Sequence, residues 1–374
     1  MIRLLQFVVF TTVLIGVALP ARGQDGVRVQ SGVIYEAFTF GSGLGFDALR
    51  EMTVPVVAAT PVGQRASLTL ATGFARVEMD LASGGTRSLS GLLDTEARLA
   101  FALVQDRLHL LLSGSVPTGI GSVTEEEVLL LGGLSNDLLA LATPSLGGGG
   151  SVGVGLAGAS SAGASSVGYA VNLRVPLTYE PVLGTDDEVR AGTDVRVRVG
   201  LESPVGRRGF FRAASIVSFR GKDELNGTSV NGVGNRIAGY ASLDAPLGST
   251  VATVWGSGLY RSDPALEATA VGAAFVPRGT LFAAGLKLTV ALGAFTRLEP
   301  EVEFRTASAA PNAAGLQLEQ LGDIVRFGAR LRRPFVGGAS IVAHAEGVSG
   351  TIHDGLASAS TTGFRASLIL EWNR

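Results

Sequence analysis

The feature that most constrains this chain is an alternation of polar and apolar residues with a period of two. Between Glu188 and Glu202, charged residues and glycine occupy the even positions, and Val, Ala, Thr and Leu occupy the odd ones. Such alternation places the charge on one face of a β-strand and the apolar side chains on the other. The pattern recurs in four further segments, at 165–179, 295–305, 323–333 and 364–372. The sequence therefore predicts an all-β chain.

Two environments suit strands of this kind. In a soluble sandwich the apolar face packs inward, whereas in an outer-membrane barrel it meets lipid and the charged face lines the lumen. The alternating segments are about 10 to 14 residues long, which suits tilted spans across a bilayer. Aromatic residues near segment ends, among them Tyr260, Phe304 and Trp372, are placed as interfacial girdles are. The sequence therefore favours the barrel.

The lengths of the connections between these segments supply an independent test. Short links such as 61–63, 105–106 and 292–293 alternate with long ones such as 117–148 and 262–279. Bacterial barrels show this alternation, with short periplasmic turns and long extracellular loops. For residues 24–374 we therefore predict one all-β domain, a transmembrane antiparallel up-and-down β-barrel of about 14–16 strands with one short helix in a long loop.

Residues 1–23 have the composition of a secretory signal peptide. Arg3 gives a basic start, residues 4–17 are largely apolar, and Ala21-Arg22-Gly23 is a small-x-small cleavage pattern. The apolar run is shorter than the roughly 20 residues that a spanning helix needs. The expected location is the bacterial outer membrane, where lipid and the barrel-assembly machinery are the expected partners.

Composition removes several other classes of function. The chain has no Cys, which excludes disulfides, thiolate zinc sites and cysteine nucleophiles. Its formal net charge of −2 gives no basic footprint for nucleic acid. The glycine clusters at 41–45 and 147–150 lack the Gly-Lys-Ser/Thr ending of a phosphate loop. We expect no nucleic-acid partner, no cofactor and no bound metal.

One long connection carries a helical pattern of its own. Thr124 and Glu127 have the spacing of a capping box, leucines at helical spacing follow, and Pro144 ends the pattern. We expect a helical insertion over about 122–145, which either folds into the lumen or covers the barrel mouth from outside. The residues of the insertion that would plug or gate the lumen are Glu127, Leu131, Leu134 and Leu138.

The charged faces of the predicted strands are the best candidate for a functional surface. Opposed charges on neighbouring strands pair at contact distance, and mixed-sign arrays inside a pore guide polar solutes. The same pairs can instead brace the wall, and the sequence leaves both readings open. The predicted lumen-lining residues are Arg190, Asp194, Arg196, Arg198, Arg297, Glu299, Glu301, Glu303, Arg305, Arg326, Arg330 and Arg332.

Three histidines raise the alternative of an enzyme. His344 lies two residues from Glu346 on one face, as a general base and its orienting group would, while His109 and His353 stand apart. No nucleophile elbow accompanies this pair, so we favour two polar lumen residues and expect no enzymatic activity. A lipid or peptide hydrolase and a structural or adhesive surface barrel are the alternatives to a channel.

Short motifs also resemble a known group of proteins. Ser115-Val116-Pro117-Thr118-Gly119, Thr124-Glu125-Glu126-Glu127 and Thr178-Tyr179-Glu180-Pro181 are similar to segments of bacterial outer-membrane barrels of the phenol-degradation meta-pathway transporter type, distantly akin to long-chain fatty-acid transporters. The resemblance covers most of 24–374 and implies passage of small, hydrophobic or aromatic compounds, with no particular site residues. We expect an outer-membrane channel or passive transporter for small solutes, of unspecified oligomeric state.

Overall fold

The computed structural model describes residues 26–373 except 106, 135, 207, 233, 263–278, 310–319 and 354–357. The predicted signal peptide lies outside the described residues. Within the described ranges, no helix is long and apolar enough to cross a bilayer.

The alternating segments of the sequence form strands, as their period of two predicts. The described ranges also contain one α-helix, α1 (Glu125–Leu134). The strands are β1 (Arg28–Phe40), β2 (Phe46–Val62), β3 (Ala66–Leu81), β4 (Thr86–Leu92), β5 (Thr95–Val104), β6 (Leu108–Val116), β7 (Ser151–Ala162), β8 (Ser165–Pro176), β9 (Val189–Arg190), β10 (Asp194–Val205), β11 (Gly209–Arg220), β12 (Lys222–Leu225), β13 (Thr228–Gly232), β14 (Arg236–Leu247), β15 (Thr250–Arg261), β16 (Gly279–Ala291), β17 (Arg297–Ala309), β18 (Gln320–Pro334), β19 (Ala339–His353) and β20 (Ser358–Asn373).

Most of these strands form one antiparallel sheet that closes on itself. β1 pairs with β2 along one edge and with β20 along the other, so that Arg28 lies opposite Asn373. β4 and β5 pair with successive parts of β3 and share one position in the wall, which makes the sheet a closed barrel of 16 strands. The predicted barrel is confirmed, with the larger of the two strand numbers.

The two faces of the wall differ as the alternation predicted. Large apolar side chains on one face are exposed, including Val199 at 51%, Phe327 at 60% and Leu368 at 52%. Charged residues on the other face are buried or meet across the barrel, as Arg326 does with a loop far from it in sequence. On these strands the apolar face is therefore outside and the charged face inside, whereas on β3 the buried inner residues Ala75, Val77 and Met79 are apolar and pack with the loop leucines.

A small second sheet corrects one predicted strand. The segment 187–202 was expected to be continuous, but it divides into β9 and β10, and β9 joins β12 and β13 in a separate three-stranded sheet. At the break, a Cβ added to Gly192 would lie 2.1 Å from the carbonyl oxygen of Gly221, so the two backbones approach as only glycine allows. Arg190, predicted to line the lumen, instead pairs with Glu224 of this sheet at 2.5 Å.

The connection from β6 to β7, residues 117–150, enters the barrel, and we call it the inserted loop. Its helix α1 begins as predicted, with the backbone N–H of Thr124 donating to the carboxylate of Glu127 at 2.8 Å. The helix ends at Leu134, earlier than the predicted pattern, because Oδ1 of Asn136 accepts from the N–H groups of Leu138 and Leu139 and starts a separate turn.

Candidate functional site in the barrel interior

The inserted loop packs against one side of the inner wall through its leucines. A Cβ added to Gly133 would contact Met79 of β3, and one added to Gly322 of β18 would contact Leu138. Leu131 is partly buried against the same cluster, whereas Glu127 bonds only within the helix start. The loop leucines that are buried are Leu130, Leu134, Leu138, Leu139, Leu141 and Leu146. The apolar contact therefore extends from the helix into the turn after it.

Arginines from three strands hold the backbone of that turn. Arg305 of β17 donates to the carbonyl of Asp137 at 3.2 Å, Arg326 of β18 donates to the carbonyl of Leu139, and Arg365 of β20 donates to the carbonyl of Ala140 at 2.6 Å. Bonds of this kind are stronger than neutral ones because the donor is charged. The turn is thus fixed to three of the four neighbouring strands β17–β20 of the wall.

Acidic and hydroxyl groups hold the other side of the turn. The fully buried carboxylate of Glu36 on β1 accepts the N–H of Ala142 at 2.6 Å and the Nε–H of Arg365 at 2.6 Å. On β2, the hydroxyl of Thr53 lies 2.8 Å from that of Thr143. The loop is therefore bound on both sides of the β1–β20 seam.

The predicted charged faces of β17 and β18 lie side by side. Glu299 pairs in register with Arg330, and Glu303 with Arg326, with nitrogen–oxygen distances of 3.9 Å in each case. Arg297 lies opposite the like-charged Arg332. Arg332 forms an ion pair with Glu371 of β20 at 3.2 Å. Glu301, Glu303, Arg305, Arg326 and Arg330 border a cavity of about 180 Å³.

His344 and Glu346 lie near each other on the inner wall but form no hydrogen bond. Nε2 of His344 lies 3.6 Å from the carboxylate of Glu346, too far for a hydrogen bond. Glu346 is engaged by Arg326 at 3.0 Å and by Arg365 at 3.3 Å. Among the residues described, no hydroxyl is hydrogen-bonded to His344.

Two larger cavities lie on the side of the interior that the loop leaves open. One, of about 310 Å³, is bounded by the loop and by β15, β16 and β17. The other, of about 620 Å³, is lined by β10, β11, β14, β15 and β16 and includes the predicted residues Asp194, Arg196 and Arg198. Both cavities include Ser257 and Leu281, so they adjoin.

Several residues that hold the loop were missed from the sequence. Glu36 and Arg365 bind the loop as described, and Arg261 of β15 forms an ion pair with Asp137. Apart from Arg28 at its first position, β1 contains one charged residue, Glu36, and this isolated charge was the sequence signal for a role of Glu36. Its partners are remote in sequence, so the pattern of residues did not connect them.

Comparisons with known proteins give information on the fold alone. No protein-family model and no curated protein sequence matches this chain. A solved structure described as a bacterial polysaccharide outer membrane secretin aligns with a TM-score of 0.50 and 8% identity, over 94% of this chain and 99% of that one. Pseudomonas aeruginosa OpdQ aligns with a TM-score of 0.47 and 9% identity, over 94% of this chain and 99% of that one. A TodX deltaS2S3 mutant monoaromatic hydrocarbon channel aligns with a TM-score of 0.47 and 11% identity, over 96% of this chain and 94% of that one. The chain thus has a closed β-barrel fold similar to that of an outer-membrane protein.

Proposed function

We propose that the protein is a passive channel for small solutes in a bacterial outer membrane, narrowed on one side by the inserted loop. The observation that carries this proposal is the pair of adjoining cavities, of about 310 and 620 Å³, beside the loop. A 16-strand barrel is wide enough to leave an aqueous channel, because side chains alone fill the interior only of barrels with about 8 strands. The exposed apolar outer face supports a lipid environment.

The proposed roles follow from position. The inward charges of β10, β17 and β18 line the lumen, and the ion pairs among them also brace the wall. In the inserted loop, Leu131, Leu134 and Leu138 hold the narrowing element against the wall, while Glu127 serves the helix start. Arg190 is left out of the lumen set because it belongs to the separate three-stranded sheet, where it pairs with Glu224.

The chemistry beside the loop supports solutes with an apolar body. Leu134 and Leu141 of the loop, with Leu281 and Ala283 of β16, line the smaller cavity. This lining agrees with what the resemblance to the phenol-degradation transporter type implies, namely hydrophobic or aromatic compounds. We propose this substrate range as the finer part of the function.

Single-channel conductance in a planar bilayer tests the channel. The purified protein is expected to give steady open steps, and a variant in which a short Gly-Ser link replaces 122–145 is expected to give larger ones. A variant in which a short Gly-Ser link replaces 226–229, the tip of the β12–β13 hairpin, is the control, because no residue of this tip lines either cavity, and its steps should equal those of the parent.

Folding is checked in parallel from the β signal in circular dichroism. Silence from folded parent and from the folded 122–145 variant would overturn the channel. Silence from the parent with steps from the variant would overturn the open passage beside the loop and leave a channel that the loop closes.

A further inference from the structure

The larger cavity has an unusual excess of one charge. Four arginines and one aspartate line it. Arg196 pairs in register with Ser218, and Ser218 with Arg236, so Arg196 and Arg236 lie at one level of the wall, two strands apart. Neighbouring strands are about 4.8 Å apart, which puts these two backbones about 10 Å from one another. Arg198 lies one inward position further along β10.

Ion pairs among the described residues compensate only half of this positive charge, and Arg220 of β11 lies 3.8 Å from the carboxylate of Asp223. Asp194 forms its ion pair with Arg196 at 2.6 Å. Within the described part of the chain, Arg198 and Arg236 have no carboxylate within ion-pair distance. Arg236 lies opposite Arg261, whose own partner is Asp137 of the inserted loop. The cavity therefore presents at least two guanidinium groups that are free to bind an anion.

Beside these arginines, the wall of the same cavity is lined by apolar and aromatic side chains. Arg198 lies in register with Ile216, then Ala238 and Leu259 across β11, β14 and β15. Tyr240, one inward position further, is 43% exposed. The cavity thus combines a guanidinium end with an aliphatic and aromatic end.

We propose that this cavity selects small organic carboxylates with an apolar body. The inference deepens the proposed function, on which it rests, by naming the class of solute. The planar guanidinium fork matches a carboxylate with two parallel hydrogen bonds, and it is less strongly hydrated than an ammonium. A positive surface with apolar walls also concentrates anions by focusing the field. The aliphatic residues and Tyr240 hold the solute's body.

Ion selectivity is the first test, measured as the reversal potential of single channels under a KCl gradient. The parent is expected to prefer chloride over potassium. Replacing Arg198 and Arg236 by Gln is expected to lower the chloride-to-potassium permeability ratio about fivefold. One charge some 8 Å from the path, screened by salt, changes each ion's population about 1.5-fold, and the two charges act on the two ions with opposite sign. The control is Arg76→Gln with Arg190→Gln, which removes two arginines that do not line the larger cavity and is expected to leave the ratio unchanged.

Solute discrimination is the second test, measured as interruption of the chloride current by benzoate, acetate and benzamide. Benzoate is expected to interrupt the current most strongly, because acetate lacks the apolar body and benzamide lacks the charge. Tyr240→Ala is expected to reduce the difference between benzoate and acetate while the chloride-to-potassium ratio stays at the parent value.

The outcomes distinguish this inference from the proposed channel function on which it rests. No conductance from folded protein would overturn the channel itself. Conductance without anion preference, or a ratio that Arg198→Gln with Arg236→Gln does not lower, would overturn the carboxylate site and leave the channel standing. Equal effects of benzoate and benzamide would overturn it as well.

Discussion

Glu36 is the side chain on which the position of the inserted loop depends most, and Glu36→Gln tests this dependence. The carboxylate accepts from the Ala142 N–H and from Arg365, both at 2.6 Å. A hydrogen bond to a charged group is worth about 1.5–3 kcal/mol, against about 0.5–1.5 kcal/mol for a neutral one. Loss of the charge therefore weakens the bond that holds the loop by about 1–1.5 kcal/mol, which raises the population of released loop about tenfold.

Thiol labelling measures that population, because the chain contains no Cys. Thr143 is buried at the contact between loop and wall, so Thr143→Cys reacts with a maleimide only when the loop leaves the wall. Adding Glu36→Gln to this variant is expected to speed labelling about tenfold. Glu371→Gln is the control, since Glu371 is also an inward carboxylate paired with an arginine but is paired with Arg332, away from the loop. Equal labelling rates in the Glu36 and Glu371 variants would refute the reasoning.

Three further predictions concern other parts of the chain. Thr53→Cys with Thr143→Cys is expected to oxidise to a disulfide, seen as a mobility shift in a non-reducing gel, because the two hydroxyls are 2.8 Å apart; failure to cross-link would place the loop elsewhere. Arg190→Ala is expected to change the free energy of unfolding by less than about 1 kcal/mol, because its ion pair is exposed. Conductance is expected to stay unchanged, and a fall in conductance would contradict the assignment of Arg190 to the separate three-stranded sheet. Burial raises the pKa of Tyr179, in the connection between β8 and β9, above its ordinary value. The phenol's contribution to stability is therefore lost as pH rises through the raised pKa, and Tyr179→Phe is expected to remove one tyrosinate that titrates above the ordinary tyrosine pKa from the ultraviolet absorbance.

The wall of the barrel could be predicted because each strand carries its own evidence. In β17, for example, Glu299, Glu301 and Glu303 alternate with Leu298, Pro300 and Val302, so one segment of sequence determines both the strand and its two faces. The same rule restricts the register to even offsets, because an offset by one residue would turn the charges outward.

The break between β9 and β10 could not be predicted in this way. It depends on the close approach of Gly192 to Gly221, two glycines on separate segments. The sequence predicted residues 81–92 as a long link, yet β4 lies within them, pairs with β3, and packs its Leu89 against the interior cluster. Both features arise from packing between segments.

The candidate site likewise has one part that could be predicted from the sequence and one part that could not. Arg326 and Glu303 were predicted together because they lie on neighbouring strands. The partnership of Arg326 with Leu139, or of Glu36 with Ala142, joins residues that are far apart in sequence. Such contacts depend on where a loop lies in the closed barrel, and the local pattern of residues holds no information on that.

The attachment of the inserted loop to both ends of the chain has a consequence for assembly. Glu36 of β1 and Arg365 of β20 meet each other and the same turn of the loop, at the seam where the first and last strands pair. The loop precedes β7 in the chain and can dock on β1 and β2 before the later strands are in place, whereas its bond to Arg365 of β20 forms only when β20 joins β1. The last strand therefore finds an interior already prepared for it, and closure of the barrel and final docking of the loop become one cooperative step.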